Sequence, residues 1–265
     1  MKVYKALRNV HEDTQILQDD LNALEQWSTD RQLSFNKIKC EVLRISQKND
    51  TSSPAYHLCG NRLNTVSETR DLGISITSNL SWSLQATKCA NKANSVLGLV
   101  RRTVGPKNPD LFPKLYKSLV RPILEYGSPV WSPHLKKDIA TLEKVQRRAS
   151  RFALGTNDMS YEDRLKRLKW STLEKRRTLS SHTECNKTIN GLNCLYAHEF
   201  FIFADKYRPQ RSNHRFKLKT KSAKLNCYKH SFFIRIVNLW NNLRKETAKA
   251  KALRTFRNKL VNEFS

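Results

Sequence analysis

The sequence predicts an α+β fold, a small mixed α/β part followed by a mainly helical one, and three observations predict it. Short runs of strand-like composition lie within residues 40–77. From Ser81 onward the apolar residues recur instead at helical spacing. The charge divides at the same place. Residues 1–80 hold ten Lys+Arg and ten Asp+Glu, so the whole excess of a chain with 49 Lys+Arg and 23 Asp+Glu, formal net charge +26, follows residue 80.

In chain order, residues 3–7 read as a short strand. Ile16, Leu17, Leu21, Leu24 and Trp27 then share one helical face, with Glu12 and Asp13 early where acids favour the helix dipole, which predicts a helix over 11–28. Cys40 to Ile45 reads as a strand, and Tyr56 to Val66 as a hairpin turning at Gly60-Asn61, because glycine supplies the positive φ such turns need. Leu72 to Thr77 reads as a further strand.

Beyond Ser81, a helix over 84–104 has Cys89, Ala93, Val96, Leu97 and Val100 inward and stops at Gly105-Pro106. A helix over 109–126 carries Leu111, Leu115, Leu119 and Ile123 and is expected to kink at Pro122. The clearest helix runs from Lys136 to Leu154. Ile139, Leu142, Val145, Ala149 and Phe152 gather on one side of it, and Lys137, Lys144, Arg147, Arg148 and Arg151 on the other. Helices over 160–169 and 172–190 follow, then a basic linker near 205–230. A last amphipathic region uses Phe232, Phe233, Ile236, Leu239, Trp240, Leu243, Phe256 and Leu260. Three segments are expected: 1–80, 81–155, and a C-terminal extension over 156–265.

Composition narrows the function. With 38% hydrophobic and 9% aromatic residues, the 265-residue chain can fill a core, which excludes a wholly disordered basic tail. No apolar run of about 18 residues is present, which excludes a membrane span. The start, Met1 to Asn9, lacks the apolar stretch of a secretory signal, so an intracellular chain is expected, its nuclear or cytoplasmic place left open. Six scattered cysteines fit free thiols in a reducing compartment. A neutral segment followed by a strongly basic one points to a polyanionic partner. Nucleic acid leads, because Lys and Arg displacing counterions from phosphates is the general source of such affinity; a membrane surface is the weaker alternative, since no apolar face with aromatic anchors accompanies the charge.

Four blocks carry a resemblance: Leu33-Ser-Phe-Asn-Lys-Ile-Lys-Cys40; Arg70-Asp-Leu-Gly-Ile74 with Leu80-Ser-Trp82; Leu115 to Tyr126 with Pro129-Val-Trp131; and Leu142-Glu-Lys-Val-Gln-Arg-Arg-Ala149. In order and spacing they resemble the C-terminal half of the reverse transcriptases, RNA-directed DNA polymerases, of jockey-type non-LTR retrotransposons. The ending, Ser231-Phe-Phe with Leu239-Trp-Asn241 and Phe256 to Leu260, is similar to that family's tail, though Leu243-Arg244 stands where the family often has Leu-Pro. The resemblance implies the end of a palm, a primer-supporting hairpin near 56–77, a helical thumb over 81–155 and a basic tail. In the family, the box holding two metal-binding aspartates directly precedes the stretch matched by Met1-Lys-Val-Tyr. This chain is therefore expected to lack the box and to be inactive by itself. It would need no cofactor, Mg2+ being a requirement of the intact family enzyme.

Lys39 matches the lysine proposed in polymerases to protonate the leaving pyrophosphate; without a two-metal centre it reads as a solvated turn lysine, a vestigial general acid at most. The candidate nucleic-acid contacts are Lys137, Lys144, Arg147, Arg148 and Arg151, extended by Lys88, Lys92, Arg101 and Arg102 on the neighbouring helix. Asp13, Asp19 and Asp20 read as a solvated helix start rather than a metal site. His182, Cys185, Cys194 and His198 have ligand chemistry zinc accepts, but without the tight paired-cysteine spacing of structural sites, so no metal is expected. No glycine-rich phosphate loop or Gly-x-Ser-x-Gly elbow appears. The expected function is sequence-independent binding of DNA, RNA or their hybrid. The alternatives are a retroelement-derived protein-interaction module, or a thumb half complementing a separate polymerase half.

Overall fold

The computed structural model describes residues 2–46, 54–104, 110–156, 158–204 and 216–264. The fold is α+β. It divides into two compact units, Met1–Ser81 and Trp82–Ser265.

In the first unit, helix α1 (Val10–Asp30) opens with Asp13 accepting the backbone N–H groups of Arg8 at 2.6 Å and Asn9 at 2.8 Å. These donors hold the Asp13 carboxyl below the usual carboxylate range. Strands β1 (Glu41–Leu43) and β4 (Asn64–Val66) pair in parallel. Strands β2 (His57–Leu58) and β3 (Asn61–Arg62) form one hairpin, and β5 (Glu68–Asp71) and β6 (Ile74–Thr77) a second. Polar bonds tie α1 to β2: Gln18 brackets His57, accepting from its N–H at 2.9 Å and donating to its carbonyl at 3.0 Å. Glu25 accepts from the Cys59 N–H at 2.7 Å. The core is small, with Tyr56, Leu58 and Ile74 the buried apolar side chains among the described residues.

Three expectations for this unit are corrected. Residues 3–7 form no strand. The first hairpin turns at Cys59-Gly60 rather than Gly60-Asn61, since both turn residues take positive φ (51° and 70°) with glycine second, as a primed two-residue turn requires. Leu72 belongs to a turn, not a strand: Leu72 and Gly73, at φ 44° and 83°, connect β5 to β6.

The second unit is helical. Helix α2 (Ser83–Val104) packs its Ala86, Ala90, Ala93, Leu97 and Val100 stripe into the core, where the short alanines allow close approach to α5 (Lys136–Leu154). Between them in sequence lie α3 (Leu111–Leu115), a π-helical turn (Tyr116–Val120) and α4 (Arg121–Glu125). The expected kink at Pro122 takes the form of this wider turn. A proline lacks the N–H and crowds the carbonyl one turn back, and π geometry accommodates both.

Helices α6 (Tyr161–Leu168) and α7 (Leu173–Ile189) cover the inner side of α5, so the expected boundary at 155 is no break in packing. There Gly155, at φ 64°, simply caps α5. Helix α7 continues into a second cluster formed with α8 (Ala197–Phe200), α9 (Asn226–Lys229), α10 (Phe232–Asn241), α11 (Lys245–Ala248) and α12 (Leu253–Glu263). Cys185, Phe201, Leu218, Ile236, Trp240, Leu243, Phe256 and Leu260 fill it.

The expected linker near 205–230 is corrected where it is described; 205–215 lies outside the described residues. Phe203 bridges Leu218, which is buried. Asn241 holds the Leu218 backbone from both sides, at 2.9 and 2.8 Å, and the Trp240 indole donates to the Phe216 carbonyl at 2.9 Å.

Candidate nucleic-acid interface

Helix α5 forms because its 3.6-residue period separates two chemistries, and the surrounding helices fix which side meets water. Its exposed positions are Lys136, Lys137, Ala140, Lys144, Arg147, Arg148 and Arg151. All but Ala140 are cationic. The two acids of α5 turn inward. Asp138 accepts from the Ser83 hydroxyl at 2.6 Å. Glu143 accepts from the Tyr161 hydroxyl, from Gln146 Nε2 at 3.2 Å and from the Leu173 N–H at 3.0 Å. Burial pushes the Glu143 carboxyl up, against the pull of these donors. The exposed side of α5 therefore carries positive charge and no acid, although the Glu143 carboxylate acts on Arg147 from the inner side. From Lys137 to Lys144 to Arg151 this strip covers about 21 Å at 1.5 Å per residue.

Several of its guanidinium groups are held in place. Arg148 Nη1 donates to Asn94 Oδ1 at 3.1 Å, and the Arg147 guanidinium lies 4.6 Å from the Tyr161 ring centroid. Arg101, from α2, lies 4.3 Å from the Phe152 ring centroid. Stacking occupies the flat face of a guanidinium and leaves edge N–H donors for a phosphate. Among the described residues, Lys137, Lys144 and Arg151 have no carboxylate at ion-pair distance.

The candidate extension on α2 divides. The bonds Ser83–Asp138 and Arg148–Asn94 and the Arg101–Phe152 contact show that α2 and α5 run parallel, and they place Asn94 and Arg101 on the side of α2 next to α5. At about 100° per residue, Lys88 and Lys92 lie roughly 120° and 160° around α2 from Asn94. They are exposed on a different face and do not lengthen the strip. Arg102, exposed, lies roughly 80° round and sits between the two faces. Arg101 joins the strip.

The other candidates fall apart spatially. Lys39 ends a single exposed 3₁₀ turn, Lys37–Lys39. Asp13 is engaged by backbone N–H groups and Asp19 accepts from Gln15 at 3.0 Å. His182 and Cys185 are buried in α7, with His182 Nδ1 2.8 Å from the Thr178 carbonyl, whereas Cys194 and His198 are exposed. Among the described residues no three His, Cys, Asp or Glu side chains converge as metal ligands, and no helix is long and apolar enough to cross a membrane.

One group escapes sequence reasoning. Arg177 is 4% exposed and lies 4.3 Å from the Trp131 ring centroid, its Nη2 donating to the Leu124 carbonyl. The available signal is its place in the Leu173–Arg177–Ser181–Cys185 stripe of α7, an inward face by i, i+4 spacing. Its neighbour Arg176 instead takes Glu125 in a two-pronged pair, with Nη2 to Oε2 at 2.9 Å. Comparison with family models, with characterised proteins and with solved structures returned no match to this chain.

Proposed function

We propose that this chain binds nucleic acid without sequence preference through α5, as the thumb-like part of a reverse transcriptase of the non-LTR retrotransposon type. The observation that carries the reading is the exposed arc of α5, six cations and no acid, while both acids of the helix are buried in hydrogen bonds. A rigid helix with this arrangement meets the phosphates of a duplex with one face and its own core with the other. Such contacts position a nucleic acid and carry no base information, so DNA, RNA and hybrid duplexes are all partners. Polymerisation is not proposed for these residues by themselves.

The test is titration of the full chain against hybrid and duplex oligonucleotides of unrelated sequence at several salt concentrations. Similar affinities that fall steeply and linearly in log–log form support the proposal. Salt-independent binding, or none, overturns it.

A second reading rests on the first unit, where Ile38 is 97%, Tyr4 93% and Leu72 82% exposed around a very small core. Those side chains favour a protein-interaction module derived from such an element, or a unit completed by a separate polymerase half.

A further inference from the structure

From Phe216 to Lys245 the chain has eight Lys+Arg and no Asp or Glu. The start of this stretch is fixed to the C-terminal cluster through its backbone. The Ala204 N–H donates to the Lys217 carbonyl at 2.8 Å and the Lys219 N–H to the Ile202 carbonyl at 2.7 Å, so Ile202–Ala204 and Lys217–Lys219 run antiparallel around the Phe203–Leu218 bridge. Asn241 of α10 takes the Leu218 N–H and carbonyl.

Successive side chains of a strand alternate in direction. Leu218 is buried, so Lys217 and Lys219 leave on the opposite face, with Ala204 and Ile202 as their cross-strand neighbours. Lys219 is exposed, as are Lys221 and Lys224 after it, and none of the three has a carboxylate at ion-pair distance among the described residues. Apolar side chains stand in water beside these cations. Ile202, opposite Lys219, is 47% exposed, and Tyr228, on α9 four residues beyond Lys224, is 45% exposed. The exposed side of α5 has no such rings or branched side chains among its cations.

We propose that this face of the C-terminal cluster, from the Lys217–Lys219 strand to Tyr228, binds single-stranded nucleic acid as a surface separate from α5. The lysines meet phosphates, and Ile202 and the Tyr228 ring take the faces of unstacked bases. A duplex keeps those faces stacked inside and offers phosphates and base edges, so exposed apolar groups among cations gain little from it. A single strand offers both phosphates and base faces. A lipid surface fits less well, because α9 is a single turn, too short for the amphipathic stripe that holds a helix on a membrane. The inference does not depend on duplex binding by α5.

The experiment is anisotropy titration of the full chain with a labelled uridine homopolymer, which forms no duplex, and with a labelled hybrid duplex, each at several salt concentrations. Lys219→Gln, Lys221→Gln and Lys224→Gln together should shallow the single-strand slope of log K against log salt by roughly two units, at about 0.7 per phosphate contact, and leave the duplex slope in place. Tyr228→Ala should weaken the single strand about fivefold or more with its salt slope unchanged, since stacking on a base displaces no counterion. The Arg147→Gln, Arg148→Gln, Arg151→Gln variant should do the reverse of the lysine variant, losing duplex and keeping the single strand, so failure of one surface is read apart from failure of the other. All the substituted side chains are exposed, so the fold should persist, and thermal unfolding of each variant checks this. Unchanged single-strand affinity in the lysine variant or in Tyr228→Ala, equal losses for single strand and duplex, or a loss seen with phosphatidylserine vesicles and not with the homopolymer would overturn the surface.

Discussion

The Tyr116 hydroxyl donates to Gln146 Oε1 at 2.8 Å in the interior of the helical unit, while its ring stacks on Trp170 at 4.5 Å. Gln146 Nε2 in turn reaches Tyr161 Oη and the Ser171 carbonyl, both at 3.0 Å, and Glu143 at 3.2 Å. One amide side chain thus links the π turn, α5, α6 and the start of α7.

Gln146→Leu removes the amide that joins these groups and leaves buried partners unpaired. It should destabilise the protein by about 2–4 kcal/mol in denaturant unfolding. A loss below roughly 0.5 kcal/mol would show that the network is dispensable.

Replacing Arg147, Arg148 and Arg151 together by Gln should shallow the slope of log K against log salt by roughly two to three units, at about 0.9 per phosphate contact. Gln keeps helix propensity, so the fold should persist. The control removes three exposed lysines elsewhere, Lys219, Lys221 and Lys224; Lys217 is half-buried and unsuited. Equal losses of slope would reduce the binding to diffuse attraction, with no special role for α5.

Residues 82–265 should fold alone, since two clusters of large buried side chains lie within them. Residues 82–155 should not, because Trp170 stacks on Tyr116, the Leu173 N–H is held by Glu143 of α5 and Arg177 sits against Trp131. A fragment of residues 1–80, whose described residues form three two-stranded ladders with few buried side chains, should lack dispersed amide resonances. Well-dispersed spectra from either short fragment would contradict this.

His182 is 0% exposed, and burial lowers its pKa from the ordinary 6.5. The folded state therefore binds fewer protons than the unfolded state as pH falls below 6.5, so stability declines on acidification and levels off below the folded pKa. His182→Leu should reduce the loss of stability between about pH 6.5 and 5, read by denaturant midpoints at each pH. An unchanged pH profile would assign the acid sensitivity elsewhere, for instance to His230, whose pKa is also lowered by burial and by the neighbouring His134.

Leu72 occupies the first position of the β5–β6 turn with φ 44° and a side chain in water. Asn tolerates this conformation better, so Leu72→Asn should slow amide exchange across the hairpin and stabilise it by about 0.5–1 kcal/mol. Faster exchange would mean that the leucine side chain makes a stabilising contact.

What the sequence determined by itself is the identity of faces. Periodicity alone marks Leu142, Val145 and Ala149 as inward on α5 and Lys144, Arg148 and Arg151 as outward, because a helix repeats every 3.6 residues whatever it packs against. Charge counting locates the change of character at residue 80, and the unit boundary falls at Ser81. What only tertiary structure decided is which element covers each face. The parallel run of α2 and α5 turns Lys88 and Lys92 away from the strip although their sequence reads like that of Arg101. Arg177 goes inside and Arg176 to Glu125, although the two are adjacent and alike. Local pattern cannot separate such pairs, because burial of a charge depends on aromatic and carbonyl partners such as Trp131 and Leu124, which lie about fifty residues away in sequence and arrive only when the helices pack.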